Sequence, residues 1–567
     1  MRVIGRAITA FLTTLSLVAC DVVQSVVDIV QPPGNCSMAR AGDIHDLEIA
    51  ALHVVQVVQD QHGAVPLVSG RDALVRAFVV HRSPDEPPAG VSVTLTVHVS
   101  RGDVVLGSLE ATGPSCVVAG IVEDTLTQSH NVLIPSDWIT AELTVHATAE
   151  VGGGVHVADG NLLRFPREGA MRLPVVEPAP LHITFVPVTY AGLHTDVDDG
   201  SAPDYVTRTR ELFPLDELDV ALRSPYVFGS QPGTVGDIST ALLLDMRTLR
   251  LLDGSDRHYF GLIEPVPEFA PAGRGFIGLP VSVGIARNPD GSLPVSMIAH
   301  ELGHNFGLLH APCGDVDDVD INFPYHAGNI GVYGYDAHDG ALVPPHRSDL
   351  MSYCHPRWIS DYHFLRVQAF RGGAGSASQR AEAGAPGRML VVSGSMDEMG
   401  LHLRPLFVTE ALPAPPEPGP YVLHLVDEDG NGLADIDFAM DDVSDHTGRE
   451  ISLFSFTVEL QEADLASLTS AEVRHRTAGV LAAAASHGAR VMALDDPVSA
   501  TRSEEYVSLS WDARRFPAIL VRDAMSGEVI ARGDTGELAL SFAGDTLDIV
   551  LSDGVRSRTE RLEIGPE

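Results

Sequence analysis

The sequence predicts a multidomain α+β protein, with a mixed central region flanked on both sides by β-sandwich domains. Three observations predict it. At 567 residues the chain has room for roughly three or four domains. Apolar residues alternate with polar ones near both ends, the period-two signal of half-buried strands. Between those regions, histidines four apart lie on a helical pattern whose opposite face is apolar.

The first residues read as an export signal. Arg2 and Arg6 precede an apolar run over residues 8–19, too short to span a bilayer as a mature helix. Leu17-Val18-Ala19-Cys20 resembles a bacterial lipobox, which implies lipidation of Cys20 and an anchor in the cell envelope or at the cell surface. Residues 1–20 are therefore expected to be a lipoprotein signal peptide and 21–45 a linker. No later stretch is long and apolar enough to cross a membrane. Setting Cys20 aside leaves Cys36, Cys116, Cys313 and Cys354, an even number that in an exported protein suggests two disulfides. Chain order favours Cys36–Cys116 and Cys313–Cys354. Cys313 as a further metal ligand is the alternative, weakened because three histidines already suffice.

The net charge is −39, from 37 basic and 76 acidic residues, and every basic residue is arginine. Such a surface disfavours nucleic acid and anionic membrane surfaces as partners.

Residues 46–175 are expected to form an immunoglobulin-like sandwich. Val91, Val93, Leu95, Val97 and Val99 alternate with small or polar residues, and Arg101-Gly102-Asp103 turns into Val104-Val105-Leu106 as a hairpin. Leu143, Val145, Ala147, Ala149 and Val151 repeat the pattern.

Residues 176–371 carry the chemistry. Residues 181–186 read as a strand; residues 205–213, stopped by Pro214, and residues 240–252 read as helices. Residues 275–279 are a candidate edge strand. From His300 the chain runs His-Glu-Leu-Gly-His-Asn-Phe-Gly-Leu-Leu-His to His310. One helical turn separates His300 from His304, so both imidazoles can reach one zinc ion at about 2.0–2.1 Å. Gly307 lets the backbone leave the helix through a conformation other residues resist and brings round His310 as third ligand. Glu301, beside a ligand, is placed to take a proton from an attacking water. Ile298, Leu302 and Phe306 form the apolar stripe that would dock this helix in the core.

Downstream, Asp349-Leu350-Met351-Ser352-Tyr353-Cys354 resembles the Met-turn which, with the long histidine motif, marks the metzincin zinc peptidases. That resemblance implies a metzincin-like domain with Met351 as the floor beneath the metal. It also implies that Tyr353 is a fifth ligand or a donor to the oxyanion, and that an upper-rim strand binds substrate in extended form. The residue after the third histidine is Ala311, which fits none of the adamalysin, astacin or matrixin branches. The continuation through Tyr362 is similar to that of mucin-cleaving bacterial metallopeptidases and, more weakly, gametolysin. Pro356, Arg357 and Trp358 are expected in the wall of the specificity pocket.

Acidic loops at Asp196, Asp198 and Asp199 and at Asp315, Asp317, Asp318 and Asp320 are read as solvated, with Ca2+ binding the alternative. His326, His338, His346 and His355 are read as surface or supporting residues.

Residues 372–388 read as a flexible linker, and residues 389–567 as one or two further sandwiches. Residues 427–432 look like a turn rather than a calcium loop, since Phe438 stands where a bidentate glutamate is needed. Residues 466–486 are ambiguous between helix and strand, while Leu538, Leu540 and Phe542 alternate, as do Leu547, Ile549 and Leu551, across Gly544-Asp545. The expectation is an exported, monomeric Zn2+ endopeptidase acting on extracellular proteins or glycoproteins. The rival is an inactive surface adhesin that keeps only the metzincin fold.

Overall fold

A computed structural model describes residues 36–58, 63–85, 88–230, 238–373, 385–444, 451–486, 496–503 and 506–565. The signal peptide, Cys20 and most of the linker at 372–388 lie outside the described residues. The architecture is predominantly β, in several sheets.

The N-terminal part is a sandwich. Leu47–Val55, Ala73–His81 and His130–Ile134 form one antiparallel sheet. Val93–Arg101, Val104–Ala111 and Leu143–Val151 form the other, with two short strands added at its edge. The alternation explains the packing. Leu95, Val97 and Val99 and, opposite them, Leu143, Val145 and Ala147 are fully buried, whereas Thr94, Thr96 and His98 point the other way. Cys36 is bonded to Cys116, tying the start of the described chain to this sandwich.

The central sheet is mixed. From its edge it runs Gly273–Gly275, Val281–Ile285, His258–Ile263, Leu181–Tyr190, Tyr226–Gly229. Along this run the pairs are parallel except that of the edge strand, which is antiparallel to its neighbour. The edge strand is Gly273–Gly275 rather than the expected residues 275–279, because Gly278 adopts φ +81° and residues 276–280 turn back into Val281–Ile285. The helix expected over 205–213 is a 3-10 turn, Ala202–Val206, followed by the helix Thr207–Leu212.

Beyond Tyr226–Gly229 the sheet continues into the C-terminal strands Val529–Gly533, Ala518–Asp523, Thr546–Ser552 and Ser557–Glu563. The helix Ile238–Leu252 is consequently buried on every side, between the central sheet and C-terminal residues such as Met389, Phe407 and Leu453. Within that contact Asp245 accepts hydrogen bonds from Tyr226 (2.7 Å), Arg404 (2.7 Å) and Arg532 (3.1 Å). A buried carboxylate needs such partners, and these come from two separate parts of the chain.

The remaining C-terminal strands form three further sheets, two around Leu390, Leu423, Phe438 and Phe454 and a three-stranded one around Val507, Leu509 and Leu538. Residues 427–432 close a hairpin, Asp427 accepting from the amides of Asp429 (2.9 Å) and Asn431 (2.7 Å). The ambiguous stretch after residue 466 ends a short helix, Glu462–Ser467, then forms the hairpin Leu468–His475 with Gly479–Ala485. Glu537–Leu540 and Thr546–Ser552 do not pair with each other. They join Val507–Trp511 and Ala518–Asp523 respectively.

Two buried histidines make the fold acid-sensitive. Burial lowers His258 to about 3 and His130 to about 4. Between those values and the unfolded value near 6.5 the unfolded chain binds more protons, so stability falls as pH falls through that range. Each histidine is expected to remove about 1.4 kcal/mol per pH unit below about 6.5. Urea unfolding at pH 7.5 and 5.5 checks it; equal stabilities would contradict the assignment.

Candidate metal centre

The helix Val295–Asn305 begins directly after Pro294. Ile298 and Leu302 face inward with no exposure, and Phe306, just past its end, is buried beside them. The helix stops where expected. Gly307 adopts φ +76°, and Leu308 donates back to the carbonyl of Gly303 at 3.1 Å, a helix-ending pattern favoured by glycine. The turn returns His310 to the helix face.

The Nε2 atoms of His300 and His310 each lie 3.2 Å from that of His304. Every Nδ1 has a backbone carbonyl: Leu350 for His300 (2.9 Å), Leu308 for His304 (2.9 Å), Asp317 for His310 (2.6 Å). Donation from Nδ1–H makes Nε2 the nitrogen that can ligate, so these carbonyls set both tautomer and ring orientation. All three rings are buried. Among the described residues, these three histidines alone form a His/Cys/Asp/Glu group able to hold a metal.

Glu301 is buried beside them. A Cβ on Gly273 would lie 2.7 Å from Glu301 Oε1, and one on Gly275 would lie 3.0 Å from the Glu301 carbonyl. Glycine at both places lets the edge strand cross close over the helix. A cavity of about 260 Å³ opens there, lined by residues including Ala272, Gly273, His300, Glu301, Tyr353 and Arg357.

The Met-turn closes the opposite side. Met351 has no exposure and packs against the helix where Gly303 leaves space, since a Cβ there would meet its Sδ at 2.5 Å. Ala311 donates to the Met351 carbonyl at 3.0 Å. The Tyr353 hydroxyl lies 3.4 Å from His310 Nε2, and the Tyr353 amide donates to Cys313 O at 3.0 Å. Cys313 is bonded to Cys354, with Cα atoms 5.7 Å apart, so the loop after the third histidine is tied to the Met-turn.

Three sequence expectations change here. Arg357 lines the cleft, but Trp358 is buried and donates its indole N–H to Val57 O at 3.0 Å, joining the N-terminal sandwich to this domain. Pro356 is exposed and outside the lining. The acidic loop is not uniformly solvated: Asp320 is buried and accepts from the Tyr362 hydroxyl (2.8 Å) and the Asn322 amide (2.9 Å). By contrast His326, His338, His346 and His355 are all exposed.

Other supporting residues carry no motif. Asn305 donates to Phe276 O (3.0 Å) and Val281 O (3.1 Å), fastening the end of the metal-site helix to the edge-strand turn. Asp349 accepts from the Met351 amide (2.7 Å), the Ser360 amide (2.9 Å) and His363 Nδ1 (2.8 Å). Burial opposes its ionisation, but the charge of His363 and these hydrogen bonds outweigh burial and hold its carboxyl below the ordinary value.

No individual curated protein is significantly similar in sequence to the chain. Among solved structures, a glycosyl hydrolase family 2 member from Bacteroides cellulosilyticus aligns over 92% of this chain and 79% of its own. Its identity is 9% and its TM-score 0.14. A beta-glucuronidase from glycoside hydrolase family 2 aligns over 92% and 63%, at 9% identity and a TM-score of 0.13. Likenesses this weak carry no argument. Residues 279–382, which hold the three histidines, Glu301 and the Met-turn, match the Peptidase M66 family, which supports a metal-dependent peptidase.

Proposed function

We propose that the chain is a zinc-dependent endopeptidase with a metzincin-like centre, cleaving extracellular proteins or glycoproteins. The observation that carries this reading is the convergence of three Nε2 atoms, their tautomers set by backbone carbonyls, beside a carboxylate that lines an open cleft. Three neutral imidazoles suit zinc and leave a coordination position for water, as catalytic rather than structural sites do. Bound there, zinc would supply Lewis acidity and lower the pKa of water.

The chain's own residues do the rest. His300, His304 and His310 hold the ion. Glu301 accepts the proton of the attacking water and returns it to the leaving amine. The Tyr353 hydroxyl, beside His310, donates to the oxygen that gains charge. Substrate enters extended past Ala272 and Gly273, with Arg357 facing it from the cleft wall. An adhesin would have no use for the Glu301 carboxylate at this position. Two disulfides fit maturation in an oxidising compartment, in keeping with the export signal read around Cys20. No helix among the described residues is long and apolar enough to cross a membrane.

Metal analysis of the purified chain tests the reading. Stoichiometric zinc is expected, lost in His304→Ala, with casein cleavage stopped by a chelator and restored by added zinc. Chelator-insensitive cleavage would overturn it.

A further inference from the structure

The C-terminal region reaches the edge strand and Glu301 through residues 441–444. Asp441–Asp442 pairs with the strand Ser452–Val458, and the chain then runs antiparallel along the outer side of the edge strand. Ile277 donates to Asp442 O at 2.9 Å and Ser444 donates to Gly275 O at 2.8 Å, with Val443 opposite Phe276. Val443 is 4% exposed and Ser444 fully buried, so this contact is dry.

At its end the Ser444 hydroxyl stands between two groups. The Gly275 amide donates to its Oγ at 3.0 Å, and Glu301 Oε2 lies 3.4 Å from the same atom. A hydroxyl has one proton and two lone pairs. With a lone pair taken by Gly275 N–H, the proton is directed to the carboxylate.

We propose that Ser444 is a positioning residue for Glu301. Its hydroxyl holds one carboxylate oxygen and so fixes how the carboxylate is presented to the attacking water. The inference rests on the peptidase reading above and deepens it. Ser444 lies 143 residues from Glu301 in sequence and beyond the family match, which ends at residue 382. The C-terminal strands are therefore part of the catalytic apparatus, not an appended module. Since Gly275 and Ile277 already spend outward-facing backbone groups on residues 442–444, substrate pairs with the edge strand only from Gly273 outward.

The test uses the full-length chain and a peptide substrate. Ser444→Ala is expected to lower kcat about 10-fold, the value of one hydrogen bond to a charged group, with KM, zinc content and thermal midpoint unchanged. Ser444→Thr, which keeps the hydroxyl, should recover most of the rate, and the equally shaped Ser444→Val should not. That pair decides the matter even if Ser444→Ala folds poorly, because the two share any steric disturbance. A wild-type kcat in Ser444→Ala, a loss confined to KM, or equal rates in the Thr and Val variants would overturn the role of Ser444. Full activity in Glu301→Gln would overturn the peptidase mechanism and Ser444's part together. An inactive Glu301→Gln beside a fully active Ser444→Ala removes only the latter.

Discussion

Replacing Glu301 by glutamine is expected to reduce peptide hydrolysis by about 10³-fold or more, within the range general-base catalysis supplies. Metal content should not change, because the three Nε2 atoms that converge belong to His300, His304 and His310. Glutamine has the same shape as glutamate and can still accept from the Ser444 hydroxyl through its amide oxygen. The fold around the strand Gly273–Gly275 should therefore survive, where a Glu301→Ala change would leave a hole. What glutamine cannot do is accept a proton at neutral pH. Steady-state kinetics on a quenched peptide, with zinc determined in the same sample, separates the outcomes. A variant that retains zinc and cleaves at the wild-type rate would show that Glu301 is not the base.

The three-histidine cluster was legible in the sequence because each part of it is local. His300 and His304 share a helix face by their spacing alone, and Gly307 announces the turn that delivers His310. One sheet of the N-terminal sandwich was legible for the same reason, since alternation in Val93–Arg101 and Leu143–Val151 tells which side chains are buried, whereas Ala73–His81 of the other sheet is buried throughout and shows no such pattern. The parts that were missed depend on which distant segment lies alongside. Asn305 reads as one polar residue in a helix until its two carbonyl acceptors at Phe276 and Val281 are in view. Nothing near Asp349 in sequence reveals His363 as its partner, and nothing near Ser444 points to Glu301. Alternation likewise says that Thr546–Ser552 is a strand but not that it joins the central sheet by way of Ala518–Asp523. The edge strand falls at Gly273–Gly275 rather than at 275–279, because a glycine-rich stretch has little side-chain pattern from which to read a register.

Asp349→Ala is expected to destabilise the protein by about 3–5 kcal/mol, the usual result of removing one partner from a buried ion pair. The carboxylate has no exposure and serves three donors. Truncation would leave His363 charged or unpaired in a site with no solvent, and would strip the Met351 and Ser360 amides of their acceptor, so no nearby relaxation repays the loss. The damage should also reach the metal. Leu350, between Asp349 and Met351, supplies the carbonyl that sets His300, while the Met351 carbonyl accepts from Ala311, next to His310. A loosened Met-turn thus frees two of the three ligands to rotate, and zinc affinity should fall together with stability even though no ligand is altered. Asp349→Asn keeps the shape and an acceptor for the Met351 amide, so it should fall between wild type and alanine on both measures. Urea denaturation with and without zinc, paired with zinc titration of each variant, checks the coupling. A loss of less than about 1 kcal/mol in Asp349→Ala, the scale of an ordinary surface change, would mean that the Met-turn holds its shape without this carboxylate.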